Sequence, residues 1–124
     1  MNNSKPYLAT IALLLFVDSI WLLTGGIWAR QIAENIQGRP VVIRYLAAAA
    51  VYPALAYILL HATSAAGAAA LGLATYAVYD FTTYAILAGY DWRFAIADTI
   101  WGGILFAAVY QALRSFGLVG KTEA

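Results

Sequence analysis

The sequence predicts an all-α membrane protein: one integral domain over residues 1–124, folded as an up-down-up-down bundle of four transmembrane helices. Three observations carry this reading. Hydrophobic residues make up 64% of the chain and charged residues 10%, against roughly 45 to 50% and 25% in an ordinary soluble domain. Four apolar segments run to about 20 residues, the length a helix rising about 1.5 Å per residue needs to cross a hydrocarbon core of roughly 30 Å. The connections between most of these segments are short, which forces antiparallel neighbours.

The first segment runs from Tyr7 to Trp28 and is entered after Pro6, a residue suited to a first helical turn. It is too long for a signal-peptide core and carries Asp18, so it reads as a retained helix. A helical extension reaches to about residue 37, because Ile32 and Ile36 are four apart and Gly38 and Pro40 supply stop signals. The second helix spans residues 41–60, started by Pro40 and ended near His61. The third, residues 65–87, follows the short Ala62-Thr63-Ser64 turn. The fourth, residues 94–113, ends before Arg114. Trp28, Tyr90 and Trp92 fall at segment ends on one side, where interfacial aromatics belong. Lys5, Arg114 and Lys121 lie on one face and Arg30, Arg39, Arg44 and Arg93 on the other. That balance leans slightly toward both termini outside and equally suits a dual-topology protein.

Asp18, Asp80 and Asp98 fall inside these apolar segments. An Asp at a helix centre costs roughly 2.5 to 3.5 kcal/mol on insertion scales, so the three are expected to share partners rather than face lipid. Counting helical rises from the face of the termini puts Asp18 about 16 Å deep, Asp80 about 21 Å and Asp98 about 22 Å. Helical spacing places Trp21 beside Asp18, Tyr76, Tyr79 and Thr83 around Asp80, and Trp101 beside Asp98. The second helix brings no acid but supplies Tyr45, Tyr52 and Tyr57. Arg44, one turn into the membrane, is the expected cationic partner of the acids through its long stem. Two arginines at most leave a surplus of carboxyl groups, which must take up a proton or hold a cation. The pair Asp18-Ser19-Ile20-Trp21 and Asp98-Thr99-Ile100-Trp101 sits on helices of opposite direction, either as inverted halves or as chance packing.

At these residues the chain resembles an uncharacterised family of small bacterial predicted membrane proteins, domain of unknown function 2177. The likeness covers nearly the whole length. It rests on Asp-x-x-Trp in the first helix (Asp18, Trp21), Tyr-Asp-x-Thr in the third (Tyr79, Asp80, Thr82) and Asp-x-x-Trp-Gly in the fourth (Asp98, Trp101, Gly102). The family pattern tends toward Asn after that Thr. Here Thr83 stands in its place, which removes an amide from the site. The resemblance implies four helices and a bacterial inner membrane, and no known activity.

Other chemistries are excluded or weakened by residue type. With no cysteine there is no disulfide, iron-sulfur or thiolate site. The only lysines, Lys5 and Lys121, leave no Schiff-base position for retinal, and the single His61 reads as an interfacial cap. Ser19 points about 100° away from Asp18 around the helix and has no histidine at its depth, which disfavours hydrolysis. No basic stripe exists for nucleic acid. The sequence singles out no cofactor or metal. The reading is therefore a polytopic protein in the lipid bilayer whose Asp cluster binds or conducts protons or a cationic ligand. The alternatives are a structural or accessory subunit, and a membrane enzyme acting on a lipid-like substrate. Small-residue runs, Ala66 to Gly72 among them, suit either internal packing or a homo-oligomer.

Overall fold

The computed structural model describes residues 4–120, so Lys121 lies outside the described residues. It is all-helical there: α1 (Ser4–Leu22), α2 (Gly25–Gln37), α3 (Tyr45–Leu59), α4 (Ala65–Ile86) and α5 (Trp92–Ser115). The first helix does not run unbroken to Trp28. It stops at Leu22, and the chain turns at Leu23 and Thr24. Thr24 Oγ1 donates back to the carbonyl of Ile20 at 2.8 Å, an alternative to the helical ladder that Thr commonly offers. Gly25 then lies against the indole of Trp21, where a Cβ would collide with the ring, so α2 leaves tightly from this point. It ends at Gly38 in the left-handed region (φ 72°), the usual helix terminator.

The second expected helix also starts later, at Tyr45 rather than residue 41. Residues 41–44 have no regular secondary structure. The β-branched run Val41-Val42-Ile43 resists the helix and suits an extended leader. Polar side chains of α2 fix that leader: Glu34 accepts the Val41 N–H at 3.0 Å, and the Gln37 amide donates to the carbonyls of Arg39 and Pro40 at 2.8 and 3.0 Å. The later helices open on side-chain caps. Ser64 accepts from Gly67 N–H, and Asp91 from Arg93 N–H, each at 2.9 Å. Asp91 also grips the Arg93 guanidinium through both carboxylate oxygens at 3.1 Å. These bonds to Arg93 hold the Asp91 carboxyl below the usual carboxylate range. The cap is therefore fully present above about pH 4 and is lost only as the pH falls further, through its lowered value.

Helix α1 packs against α3 and α5, α4 lies closely along α5 and touches α3, and α2 covers the start of α5. The α4–α5 contact is backbone to backbone. A Cβ on Gly72 would overlap the Gly102 carbonyl oxygen, and one on Gly102 would enter the Tyr76 ring. Within the run Ala66 to Gly72, Ala68 and Gly72 are buried inside the chain, while Ala66 and Ala70 stay exposed. The apolar core of Leu14, Leu55, Leu59, Leu105, Phe106 and Leu113 fills the half nearer the termini. Tyr7 Oη ties α1 to α3 there by donating to the Pro53 carbonyl at 2.8 Å. The outer surface is also apolar: Phe16, Leu23, Val78 and Ile86 are each more than two-thirds exposed.

By length and composition α1 and α5 suffice to cross a membrane. The extended leader shortens α3, and in α4 the stretch from Tyr76 to Tyr84 dilutes the apolar content with tyrosines, threonines and Asp80. Gly72→Ala or Gly102→Ala is expected to destabilise the fold by about 1–3 kcal/mol, read as a lower melting temperature in detergent. Gly26→Ala, where the nearest atom to a new Cβ is 3.8 Å away, is expected to stay within about 0.5 kcal/mol.

Candidate functional site

Asp18, Asp80 and Asp98 are buried at 6%, 1% and 6% exposure, in the half of the molecule away from the termini. Each projects from a face set by helical period: Thr10, Leu14 and Asp18 on α1, Gly72, Tyr76 and Asp80 on α4, Asp98, Gly102 and Leu105 on α5. Helices α1 and α5 exchange hydrogen bonds reciprocally. Trp21 Nε1 donates to Asp98 Oδ1 at 2.8 Å, and Trp101 Nε1 donates to Asp18 Oδ1 at 2.8 Å. The two indoles stack with centroids 5.9 Å apart and planes 18° from parallel. In an antiparallel pair Asp18 stands opposite Trp101 and Trp21 opposite Asp98, so the two similar tetrapeptides of the sequence form one crossed clasp.

The remaining oxygens meet hydroxyls. Tyr52 Oη donates to Asp18 Oδ2 at 2.5 Å, which brings α3 into the cluster. Tyr90 Oη and Thr99 Oγ1 reach the two oxygens of Asp80 at 3.3 and 3.4 Å. These are long for O–H···O bonds, whose usual distance is about 2.7–2.8 Å. The Asp80 and Asp98 side chains are neighbours on the wall of one cavity, with Tyr79 beside them. The Tyr76 and Tyr79 rings pack together, with centroids 5.1 Å apart. A cavity of about 250 Å³ opens here, walled by all three acids and by Trp21, Tyr79, Tyr90 and Phe94.

Of the residues singled out in the sequence, Asp18, Asp80, Asp98, Trp21, Trp101, Tyr76 and Tyr79 come together. Arg44 does not. It is exposed at the uncapped start of α3, and Arg93–Asp91 is the only ion pair among the described residues. The leader from Val41 to Arg44 keeps Arg44 on the outer rim, and the acids take neutral donors instead. Thr83 also turns elsewhere, donating to the Tyr79 carbonyl at 2.6 Å. Of the tyrosines that the second helix supplies, Tyr52 reaches the acids, while Tyr45 and Tyr57 are exposed. Two partners escape the sequence reading: Tyr90 reads as a belt aromatic, and Thr99 is visible only as the second residue of its tetrapeptide. Among the described residues no three His, Cys, Asp or Glu side chains are arranged to hold a metal ion.

An all-helical fold with an apolar exterior and buried carboxyl groups defines a class, that of helical membrane proteins with an internal polar site. The family model described as predicted membrane protein, domain of unknown function 2177 (DUF2177), matches residues 3–114, and the chain belongs to that family. No curated protein and no solved structure matches it.

Because the clasp is crossed, Trp21→Phe leaves Asp98 short of its indole donor while keeping most of the aromatic stack. A loss of about 1–3 kcal/mol is expected for a buried acceptor left unpaired, measured by thermal unfolding in detergent. Trp92→Phe, at a half-exposed position, is expected to change stability by less than about 0.5 kcal/mol.

Proposed function

We propose that the protein spans the membrane four times, through α1, α3, α4 and α5, and that its Asp80–Asp98 pair takes up a proton or a small cationic ligand between the helices. One observation carries the site reading: three buried carboxyl groups are met by indoles, phenols and a threonine, and no basic side chain of the described residues touches them. Two buried carboxylates side by side on one cavity wall repel unless a proton or cation lies between them. The adjoining cavity of about 250 Å³ offers room for water or a small ligand beside the pair. The long contacts to Tyr90 and Thr99 can be given up or tightened as the charge on Asp80 changes.

The span reading rests on lengths. Helix α4 has 22 residues, about 33 Å at the helical rise. The 15 residues of α3 provide about 22 Å, and its extended leader adds about 13 Å. The amphipathic α2 then lies near the headgroups. The bacterial inner membrane is the proposed location, as the family resemblance implies, and a homo-oligomer or larger membrane complex suits so small a chain.

A second reading has its own support. The Asp18–Trp101 and Trp21–Asp98 bonds are short and join α1 to α5, as a purely structural glue would. The two readings divide the acids: Asp18, with two strong donors, serves the scaffold, and Asp80 serves the exchange.

The test uses protein reconstituted in liposomes. Asp80→Asn is expected to lower proton or cation flux by roughly tenfold or more and to remove a protonated-carboxyl infrared band seen in the parent protein at neutral pH, with helical content unchanged. Absence of both flux and band in the parent protein would leave the scaffold role as the whole function.

A further inference from the structure

A second feature lies outside the acid cluster, at the start of α3. A groove of about 740 Å³ runs between the end of α2 and the start of α3. Arg39 and Arg44 form its rim, both exposed and neither ion-paired among the described residues. Glu34, the acid nearest in sequence, directs a carboxylate oxygen to the Val41 N–H. The walls below the rim are apolar, from Val42 and Ile43 to Ala47 and Ala48. Beside them Leu46 is 91% exposed, and every residue from 42 to 51 is exposed. Two cations at the head of an apolar helix face match one kind of molecule: a negatively charged head joined to a hydrocarbon tail.

We propose that this groove docks one anionic phospholipid of the surrounding bilayer, its phosphate between the Arg39 and Arg44 guanidiniums and its acyl chains along Leu46, Ala47 and Ala50. Guanidinium groups bind phosphate through paired N–H donors, which a zwitterionic head with its own ammonium satisfies less well. The extended leader from Val41 to Arg44 sets the spacing of the two arginines, and its ties to Glu34 and Gln37 fix that spacing relative to α2. The docked lipid covers the part of α3 that no other helix covers. This site does not depend on what the aspartates do.

The test uses the full-length protein in mild detergent, with phosphatidylglycerol, phosphatidylcholine and inorganic phosphate as probes, read by melting temperature and by native mass spectrometry. Phosphatidylglycerol is expected to raise the melting temperature and remain bound where phosphatidylcholine does not. Each arginine near an anionic lipid contributes roughly a fivefold gain in affinity, so the R39Q/R44Q variant is expected to bind phosphatidylglycerol roughly 25-fold more weakly. Arg114→Gln, at the other end of the molecule, should bind it as the parent protein does. Both changed positions are exposed, and circular dichroism verifies that the double variant is folded; Arg39→Gln alone, with about a fivefold loss, serves if it is not. Unchanged affinity in either groove variant, equal retention of phosphatidylcholine, or full stabilisation by inorganic phosphate would each overturn the assignment.

Discussion

The crossed bond between α1 and α5 is the contact on which the polar interior depends. A carboxylate in an apolar interior needs strong donors, and an indole N–H has no other use for its proton. By setting Asp18 against Trp101 and Trp21 against Asp98, the chain satisfies two acids and two indoles at once and fixes the axial register of two helices. Everything nearby takes its place from this register. Tyr52 can reach Asp18 only because α1 stands at this height, and Asp98 meets Asp80 only because α5 does.

The second constraint is the backbone contact of α4 with α5. Gly72 and Gly102 let the helices approach until a carbonyl occupies the volume of a missing side chain. That approach draws Asp80 to Asp98, so close packing and charge repulsion are set against each other a few residues apart. The apolar half of the molecule, from Leu14 to Leu113, carries the cost of the polar half. Phe94, surrounded by Trp21, Trp28 and Tyr90, joins α2 and the α4–α5 turn to the same cluster.

Much of this was legible in the sequence, and for physical reasons. Asp with Trp three residues on fixes both to one helix face, and equal rise per residue brings the acids to neighbouring heights along their helices. The Ser64 and Asp91 caps lie directly before helices that begin at positions close to those expected. The choice of partners was less legible, since helical period gives the face of a residue and not its neighbour across the interface. Arg44 illustrates this: Coulomb attraction alone selects it, but three β-branched residues ahead of it hold the backbone extended and leave it outside. Its position at a segment end marks Tyr90 as an interfacial aromatic, yet the short turn after α4 swings its hydroxyl back to Asp80. The break at Thr24 follows from a hydroxyl that bonds its own helix and from a glycine that yields to an indole.

The crossed arrangement also bears on how such a chain can vary. Each tetrapeptide looks like a self-contained unit, yet its acid and its indole serve the other helix, so neither copy works by itself. A lesion at Trp21 is felt on α5 and a lesion at Trp101 on α1. Position 18 is therefore coupled to 101 and position 21 to 98, across 83 and 77 residues of sequence.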